Sequence, residues 1–377
     1  MINLAIVSYT DLHPSNVPVG VVVVIVVLLF VPTAQPPDKT NENLPIREKL
    51  RHMDGVGLLL FLGAVTSLLL VLTWGGQAYP WNDQKIIGLI VGFGLLALAF
   101  CAWLVKRGDR ALIPLKVLKI RSIYVGSVSL LGFGVLSVVY GYYLPILFQS
   151  AQGASITESG LRYIALVGPQ IVALLITGAV VSFWGYYVPY MVAGGIICSV
   201  GAGLLTTVEV TTSTPRWAAY LVLTGIGLGM GAQLPYTALQ AVLSPADVAT
   251  GNAIAVFSFH LAGAIGTAIG QNLLIRGLYD AVPKYTDAVS AAEVIQAGAN
   301  GLTHLAASPD VLLALRSAYV EAVRRTIILG LAGVILATLA SCFMERVNIK
   351  HIAEERKRAL KPEDSSSPET KVFDTSM

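Results

Sequence analysis

The sequence predicts an all-α polytopic membrane protein, and three observations lead to that class. Of the 377 residues, 55% are hydrophobic and only 12% are charged, whereas soluble domains carry about 25% charged residues. The mean hydropathy is +0.71. Disordered chains have low hydrophobicity, so a disordered protein is excluded. The apolar residues are also gathered into runs close to the ~20 residues that a helix needs to cross a bilayer.

Nine apolar runs are candidate membrane-spanning helices. They are residues 17–31, 55–74, 86–105, 123–148, 163–181, 188–206, 217–240, 251–274 and 326–344. The first is short and lies between Pro18 and Pro32. Its β-branched stretch would suit a strand in water, but an open strand leaves backbone groups unpaired in lipid. We therefore predict a helix there too.

Lysine and arginine are concentrated in alternate connections between these runs. The segments 33–54, 106–122 and 345–377 are rich in them, whereas the connections after the second and fourth runs carry only Lys85 and Arg162. Basic loops stay in the cytoplasm, so we predict an external N-terminus and a cytoplasmic C-terminus. Two further inner loops, near Trp184 and Asp247, contain neither residue type and do not test the assignment.

Two segments lie outside this pattern. Residues 280–319 form a long external connection, in which the apolar spacing at 311–320 predicts an amphipathic helix lying on the membrane surface. Residues 350–377 are polar, first basic and then rich in Ser, Pro and Glu, which predicts disorder. The basic part is either a stop signal after the last span or a contact for anionic lipid.

The sequence contains no constellation typical of an enzyme. It has no HExxH, GxSxG or P-loop pattern, and its acidic residues fall in loops or at the ends of apolar runs. The three cysteines lie inside apolar runs without metal-ligand spacing, and a net charge of +3 does not indicate nucleic-acid binding. We therefore expect no catalytic residue, metal site, cofactor or nucleic-acid partner.

Small and helix-breaking residues are common within the apolar runs and are candidates for conformational or packing roles. They are Pro145, Pro169, Gly225, Gly227, Gly229, Gly231, Gly266 and Gly270, with Pro235 as a further proline. Glycines at GxxxG spacing let helices approach closely, and the alternative is that such helices slide or rock during transport. The prolines remove backbone hydrogen bonds and are candidates for kinks.

Polar side chains inside the apolar runs are candidates for a binding cavity, because they are costly in lipid. They are Gln170, Gln233, Gln240, His260, Gln271 and Asn272. Gln233 and Gln240 are seven residues apart and share a helix face. The alternative for each is an interhelical hydrogen bond worth about 1 kcal/mol, and for His260 a packing role rather than proton coupling.

Several segments, in order, resemble the fungal 14-span drug–proton antiporters of the major facilitator superfamily (MFS). They are Thr73–Gly76 with Tyr79, Trp81 and Ile86-Ile87; Tyr142–Ile146 with Phe148, Gln149 and Gly153; Gly185–Pro189; Gly201–Thr207; Gly225–Gly231 with Gln233 and Pro235; and Asp247, Gly251, Gly263 and Gln271-Asn272. The resemblance runs from about Asn16 to about Met344.

This resemblance implies a division of the chain. Residues 1–16 are unmatched, 17–32 are the last helix of an incomplete N-terminal bundle, and 33–54 are a cytoplasmic loop. Residues 55–105 are two extra transmembrane helices, 106–122 are a cytoplasmic loop, 123–344 are a C-terminal six-helix bundle with an external loop at 275–321, and 345–377 are a cytoplasmic tail. About five spans of the family pattern are absent, and the counterpart of its charged loop motif at 178–185 has lost its charges.

The resemblance implies a multi-pass transporter, in the plasma membrane, that exports drugs, toxins or fungal secondary metabolites in exchange for protons. Its partners would be lipid, substrate, protons and a second chain or copy that completes the bundle. Candidate cavity residues are Gln149, Gln170, Gln233 and His260. The alternatives are a mis-assigned start codon, a truncated remnant that does not transport, and a partner subunit.

Overall fold

The computed structural model describes residues 20–30, 54–244 and 247–360. It divides into two compact units, Met1–Asp54 and Gly55–Met377. The described part of the first unit is one helix, α1 (Gly20–Phe30). Its β-branched residues are helical, as the need to pair backbone groups in lipid predicts. The ends of the predicted first span lie outside the described residues.

The described part of the second unit consists of helices and their connections. They are α2 (Gly55–Trp74), α3 (Gln84–Arg107), a short 3₁₀ helix (Gly108–Arg110), α4 (Leu115–Leu118), α5 (Arg121–Gln152), α6 (Ile156–Trp184), α7 (Val188–Leu205), α8 (Thr214–Gly231), α9 (Leu234–Val242), α10 (Val248–Tyr285), α11 (Ala291–Leu305), α12 (Pro309–Cys342) and α13 (Ile349–Leu360). Eight spans among the described residues, with α8 and α9 counted together, are long and apolar enough to cross a membrane. The predicted fold class is confirmed, and the chain is an integral multi-pass membrane protein.

Three long helices form the centre of the second unit. α5 packs against α10 and α12, and these two also pack against each other. A second group adjoins them, in which α8 lies between α6 and α7, and α7 contacts α12. The ring of Phe133 on α5, which is fully buried, faces Gly231 at the end of α8. The six spans from α5 to α12 thus pack as one bundle.

The hairpin of α2 and α3 packs on this bundle through α10. The Phe61 ring centroid lies 4.8 Å from that of Phe257 on α10 and 5.2 Å from that of Phe100 on α3. Asn272 Nδ2 on α10 donates a hydrogen bond to the Leu72 carbonyl oxygen at 2.9 Å. For Asn272, the interhelical hydrogen bond is therefore the role that the structure shows.

Glycines bring α8 into backbone contact with two neighbours, α6 and α7. A Cβ atom at Gly225 would meet the carbonyl oxygen of Leu166 on α6, and one at Gly229 would meet that of Gln170 on the same helix. A Cβ at Gly227 would meet the backbone of α7 at Cys198. Since the GxxxG pairs alternate along α8, Gly225 and Gly229 face α6 while Gly227 faces α7.

The prolines inside the apolar runs do not all interrupt a helix. Pro145 and Pro169 lie inside α5 and α6, which remain continuous helices. The predicted span 217–240 is interrupted instead, since α8 ends at Gly231 and α9 begins at Leu234, with Pro235 in its first turn. Proline has no backbone N–H and its ring collides with the carbonyl four residues earlier. The break therefore falls at Ala232 and Gln233, directly before this proline.

The bundle is extended at one end by the long connection after α10. α10 continues to Tyr285 and α11 follows, so most of residues 275–321 is helical. The helix predicted at 311–320 is present, but its predicted place on the membrane surface is wrong. These residues are the first turns of α12, and Leu315 and Ala318 are fully buried in the main apolar core. The periodicity was real, but protein rather than lipid covers its apolar face.

At the opposite end, the segment after α12 is fastened to the bundle. Ser122 Oγ donates to Glu345 Oε2 at 2.6 Å, and the Tyr187 hydroxyl donates to the Glu345 carbonyl oxygen. Ile349 N donates to the Gly185 carbonyl oxygen at 2.9 Å. α13 follows directly, so residues 349–360 are helical where disorder was predicted from residue 350; residues 361–377 lie outside the described part.

Replacing Gly225 by alanine should destabilise the bundle by about 1–3 kcal/mol, because the added methyl group forces α6 and α8 apart. The measurement is the midpoint of thermal unfolding of the detergent-solubilised chain. Gly178→Ala on α6 is the matched control, since nothing lies within 4 Å of a Cβ atom there. Equal midpoints for the two variants would contradict the close contact.

Candidate functional site

The candidate site is an open cavity of about 440 Å³ on one side of the six-span bundle. Helices α5, α6, α8, α9 and α10 all contribute to its wall. The lining residues are Ser137, Gln170, Leu228, Ala232, Gln233, Tyr236, Gln240, Asn252, Val256, Phe259 and His260. The cavity therefore brings together three of the four predicted cavity residues, Gln170, Gln233 and His260, and also Gln240.

The helix break before Pro235 positions two of these glutamines. Gln233 precedes the first residue of α9, and its side chain is exposed into the cavity. Tyr236 and Gln240 follow at spacings of three and seven residues from Gln233, which places all three on one helix face. On α10, Asn252, Val256 and His260 follow one another at spacings of four residues and line the cavity in the same way.

The polar side chains of this wall are free to bind. Seven lining residues have polar side chains: Ser137, Gln170, Gln233, Tyr236, Gln240, Asn252 and His260. None of these side chains forms a hydrogen bond or ion pair with another residue in the part of the chain that the structure describes. The seven residues are exposed or half-buried, so their polar groups, which face an open cavity, are available to water or to a ligand.

The described part of the wall carries no fixed charge. Asp, Glu, Lys and Arg are absent from the described residues that line it, and His260 has the one imidazole among them. The ring of His260 lies edge-on to Phe259, with centroids 5.7 Å apart. Amides, hydroxyls and aromatic rings of this kind suit an uncharged ligand with a few hydrogen-bonding groups.

The fourth predicted cavity residue lies elsewhere. Gln149 is near the other end of α5, where its Nε2 donates to Ser159 Oγ at 2.8 Å. It lines a separate, small cavity of about 50 Å³ beneath α11. Its amide thus links α5 to the start of α6. Gln149 lies twelve residues after Ser137, the residue of α5 that lines the larger cavity.

Three polar residues line the cavity that were not predicted from the sequence: Ser137, Tyr236 and Asn252. Asn252 and Tyr236 carry a detectable signal, because each lies on the helix face of a residue that was named: Asn252 is eight residues before His260, and Tyr236 is three after Gln233. Ser137 has no such signal. Serine inside a membrane helix is common, since it bonds its own backbone, and only the packing of α5 reveals its position.

An ion pair lies outside the cavity, at the start of α10. Lys116 Nζ is 3.2 Å from Asp247 Oδ1, and Ser244 Oγ donates to Asp247 Oδ2 at 2.8 Å. The hydrogen bond from Ser244 and then that from Lys116 lower the pKa of the Asp247 carboxyl group below its usual value. The carboxylate is therefore ionised at neutral pH and ties the segment before α5 to α10.

No metal site is present among the residues that the structure describes: no group of three or more His, Cys, Asp or Glu side chains is placed to hold an ion. Cys101 and Cys342 are exposed and Cys198 is buried, each as a free thiol.

Taken together, a multi-pass helical bundle with a polar, uncharged cavity has the architecture of a membrane transporter. Comparison with known proteins agrees with this class. The family described as "Fungal trichothecene efflux pump (TRI12)" matches residues 16–141, which include α1, α2, α3 and the first two thirds of α5.

Relatives extend the similarity across most of the chain. The MFS-type transporter astH of Aspergillus oryzae is 34% identical over 335 residues, covering 89% of this chain and 59% of that protein. The MFS-type efflux pump MFS1 of Trichophyton rubrum is 36% identical over 339 residues, 89% of this chain and 62% of the pump. The efflux pump roqT of Penicillium rubens is 32% identical over 335 residues, which are 89% of this chain and 61% of that pump.

The chain is therefore a homologue of fungal MFS-type transporters, and the resemblance inferred from its motifs is confirmed. It spans about three fifths of the length of these relatives. Among solved structures, a bacterial homologue of the human lysosomal transporter Spinster, inward-facing and occupied, aligns with a TM-score of 0.45 and 16% identity over 79% of this chain and 65% of that one.

A cysteine at position 233 should react several times faster with a hydrophilic maleimide than a cysteine at position 238, because Gln233 faces the open cavity while Ala238, in α9, is completely buried. Both variants, Gln233→Cys and Ala238→Cys, are made after Cys101 and Cys342 are changed to serine. Labelling of the purified protein in detergent is followed by mass spectrometry. Equal rates would show that the cavity is closed.

Proposed function

We propose that the chain forms the C-terminal part of an MFS-type efflux transporter that exports small organic molecules in exchange for protons. The substrate class is that of drugs, toxins and fungal secondary metabolites. The observation that carries the proposal is the cavity wall, with seven polar side chains that bond to no other described residue. The names of the relatives, transporters and efflux pumps, support the same reading.

In this proposal the substrate lies against α6, α9 and α10. Gln170 and Gln233 offer both donors and acceptors to it, while Phe259 and Leu228 provide apolar contact. Such a wall accepts molecules that differ in detail, because its described lining residues carry no fixed charge that would select one ionic form. Exposed large apolar groups on the substrate would also be sheltered from water there.

Export requires that the cavity open to one side of the membrane at a time, which MFS-type proteins achieve by rocking two bundles about a central site. The described bundle supplies one wall. The opposite wall, in this proposal, comes from a second bundle, carried by a second chain, a second copy or coding sequence upstream of Met1. His260, exposed in the cavity, is the candidate proton carrier on this wall because imidazole titrates near neutral pH.

A second candidate function is that of a non-transporting partner subunit or remnant. The observation that favours it is that, in the part of the chain that the structure describes, helices of one bundle border the cavity. For either function we place the protein in the plasma membrane with its C-terminus in the cytoplasm, from the distribution of lysine and arginine.

Transport is tested in inside-out plasma-membrane vesicles with an acidic lumen, which should accumulate an uncharged fluorescent compound until a protonophore is added. The assay is run on this 377-residue chain and on the chain extended by any in-frame upstream codons. Accumulation by the extended chain only would support the partner or remnant reading for the shorter one. Absence of accumulation with both forms of the chain would overturn the proposal that the protein is a transporter.

The cavity is tested in whichever form transports. Gln170→Ala, Gln233→Ala and His260→Ala should each raise the half-saturating concentration by about fivefold, as expected from the loss of a hydrogen bond worth ~1 kcal/mol. Gln77→Ala, an exposed glutamine in the turn after α2, is the matched control and should change nothing. Gln149→Ala should lower the unfolding midpoint rather than the apparent affinity. Unaltered export with all three cavity residues changed would remove them from the site.

A further inference from the structure

A second, larger cavity lies between α7 and the end of α12, away from the polar wall. It is a groove of about 540 Å³, and most of its lining is apolar or aromatic. Pro189, Ala193 and Ile196 line it from the first three turns of α7, and Cys342 lines it from the last turn of α12. Tyr186, just before α7, and Arg346, after the end of α12, line it from the connecting segments.

Arg346 carries the one formal charge among the described residues that line the groove. Its side chain is exposed and forms no ion pair or hydrogen bond with any residue that the structure describes. The nearest carboxylate along the chain, Glu345, is already engaged by Ser122 Oγ at 2.6 Å. A guanidinium group at the end of an apolar groove is thus left with five N–H donors and no acceptor.

The groove continues into the surface that faces the hydrocarbon region. Ile196 and Val200 on α7 follow Pro189 and Ala193 on one helix face, and their side chains are 53% and 52% exposed. On α12, Leu339 is 58% exposed and lies seven residues before Arg346. In a membrane-spanning bundle, exposed apolar faces of this kind contact lipid chains. The groove therefore opens sideways to the bilayer, with its cation at the level where α12 ends.

We propose that this groove binds a phospholipid with a net negative head group, with an acyl chain between α7 and α12 and the phosphate on Arg346. The charge complements an anionic head group, which forms short, strong hydrogen bonds with guanidinium. Lys350, whose Nζ lies 5.3 Å from the centre of the Phe183 ring, adds a second positive charge at the start of α13, four residues after Arg346 in the sequence. With the C-terminus in the cytoplasm, as predicted, the site faces the leaflet that holds anionic lipids.

The experiment counts lipids that stay bound to the full chain. The protein is reconstituted with equimolar phosphatidylserine and phosphatidylcholine, extracted in non-ionic detergent and examined by native mass spectrometry. We expect preferential retention of phosphatidylserine, and a fall of about fivefold in the serine-to-choline ratio in Arg346→Gln, from the value of one basic residue near a membrane surface. Arg346→Lys should keep most of the preference.

Two further variants separate the site from general attraction. Arg110→Gln removes an exposed arginine that lies outside the groove on the same predicted side of the membrane, and it should leave the ratio unchanged. Ala193→Phe fills the groove without changing charge, and it should reduce retention of both lipids, with the unfolding midpoint as the check that the variant folds.

The result that overturns the proposal is an equal ratio in Arg346→Gln and Arg110→Gln. Displacement of the lipid by soluble glycerophosphoserine would also overturn it, because the groove would then bind the head group alone. So would a dimer that disappears with Arg346→Gln while lipid retention stays constant, because a second copy would then be the occupant. The lipid assay is independent of transport, so a negative result for the lipid site does not overturn the proposed transport function, and the reverse also holds.

Discussion

The bundle depends on direct contact between helix backbones. In lipid, apolar side chains gain little by leaving the hydrocarbon for each other, so helices are held by close packing rather than by the hydrophobic effect. α8 meets that requirement with glycine on two faces: Gly225 and Gly229 admit α6, and Gly227 admits α7. Elsewhere Gly132 on α5 and Gly333 on α12 bring those two helices equally close. Dispersion and weak backbone contacts gain most from such short distances.

This manner of packing leaves the polar side chains available. Where hydrogen bonds do join helices, they involve few residues, such as Asn272 to the Leu72 carbonyl and Tyr140 to the Ile327 carbonyl. The side-chain amides of Gln170, Gln233 and Gln240 form no hydrogen bond between helices among the described residues. Because glycine contacts hold the helices together, amides on the cavity side are not needed as structural ties. The same helices therefore pack tightly against each other on some faces and present polar side chains to the open cavity on another.

The helical class and the spans could be predicted because a bilayer imposes a length and an apolar composition on each segment. The boundaries outside the lipid could not. Residues 311–320 have the pattern of a surface helix, and nothing local shows that α12 continues through them, because the partner that covers Leu315 comes from distant parts of the chain. The tail shows the same limit: Ile349 is anchored by Gly185, a contact between residues far apart in sequence.

For the cavity, the sequence could indicate which residues are costly in lipid but not where each one points. Gln149 and Gln170 have the same side chain and both lie in membrane helices, yet one bonds to Ser159 and the other lines the cavity. That difference depends on the packing of α5 against α6. Tyr236 and Asn252 could have been predicted, since they lie on the helix faces of residues already identified. The position of Ser137 at the cavity depends on tertiary structure alone.

The absence of Asp, Glu, Lys and Arg from the described lining residues of the cavity has an electrical consequence. Moving one elementary charge across the membrane changes the free energy by about 2.3 kcal/mol for every 100 mV. A wall of amides, hydroxyls and rings carries no such charge unless His260 is protonated. In the transport that we propose, this wall would then contribute little to any dependence on the membrane potential when the cargo is neutral, and a measured voltage dependence would report on the imidazole, on the cargo or on groups outside this wall.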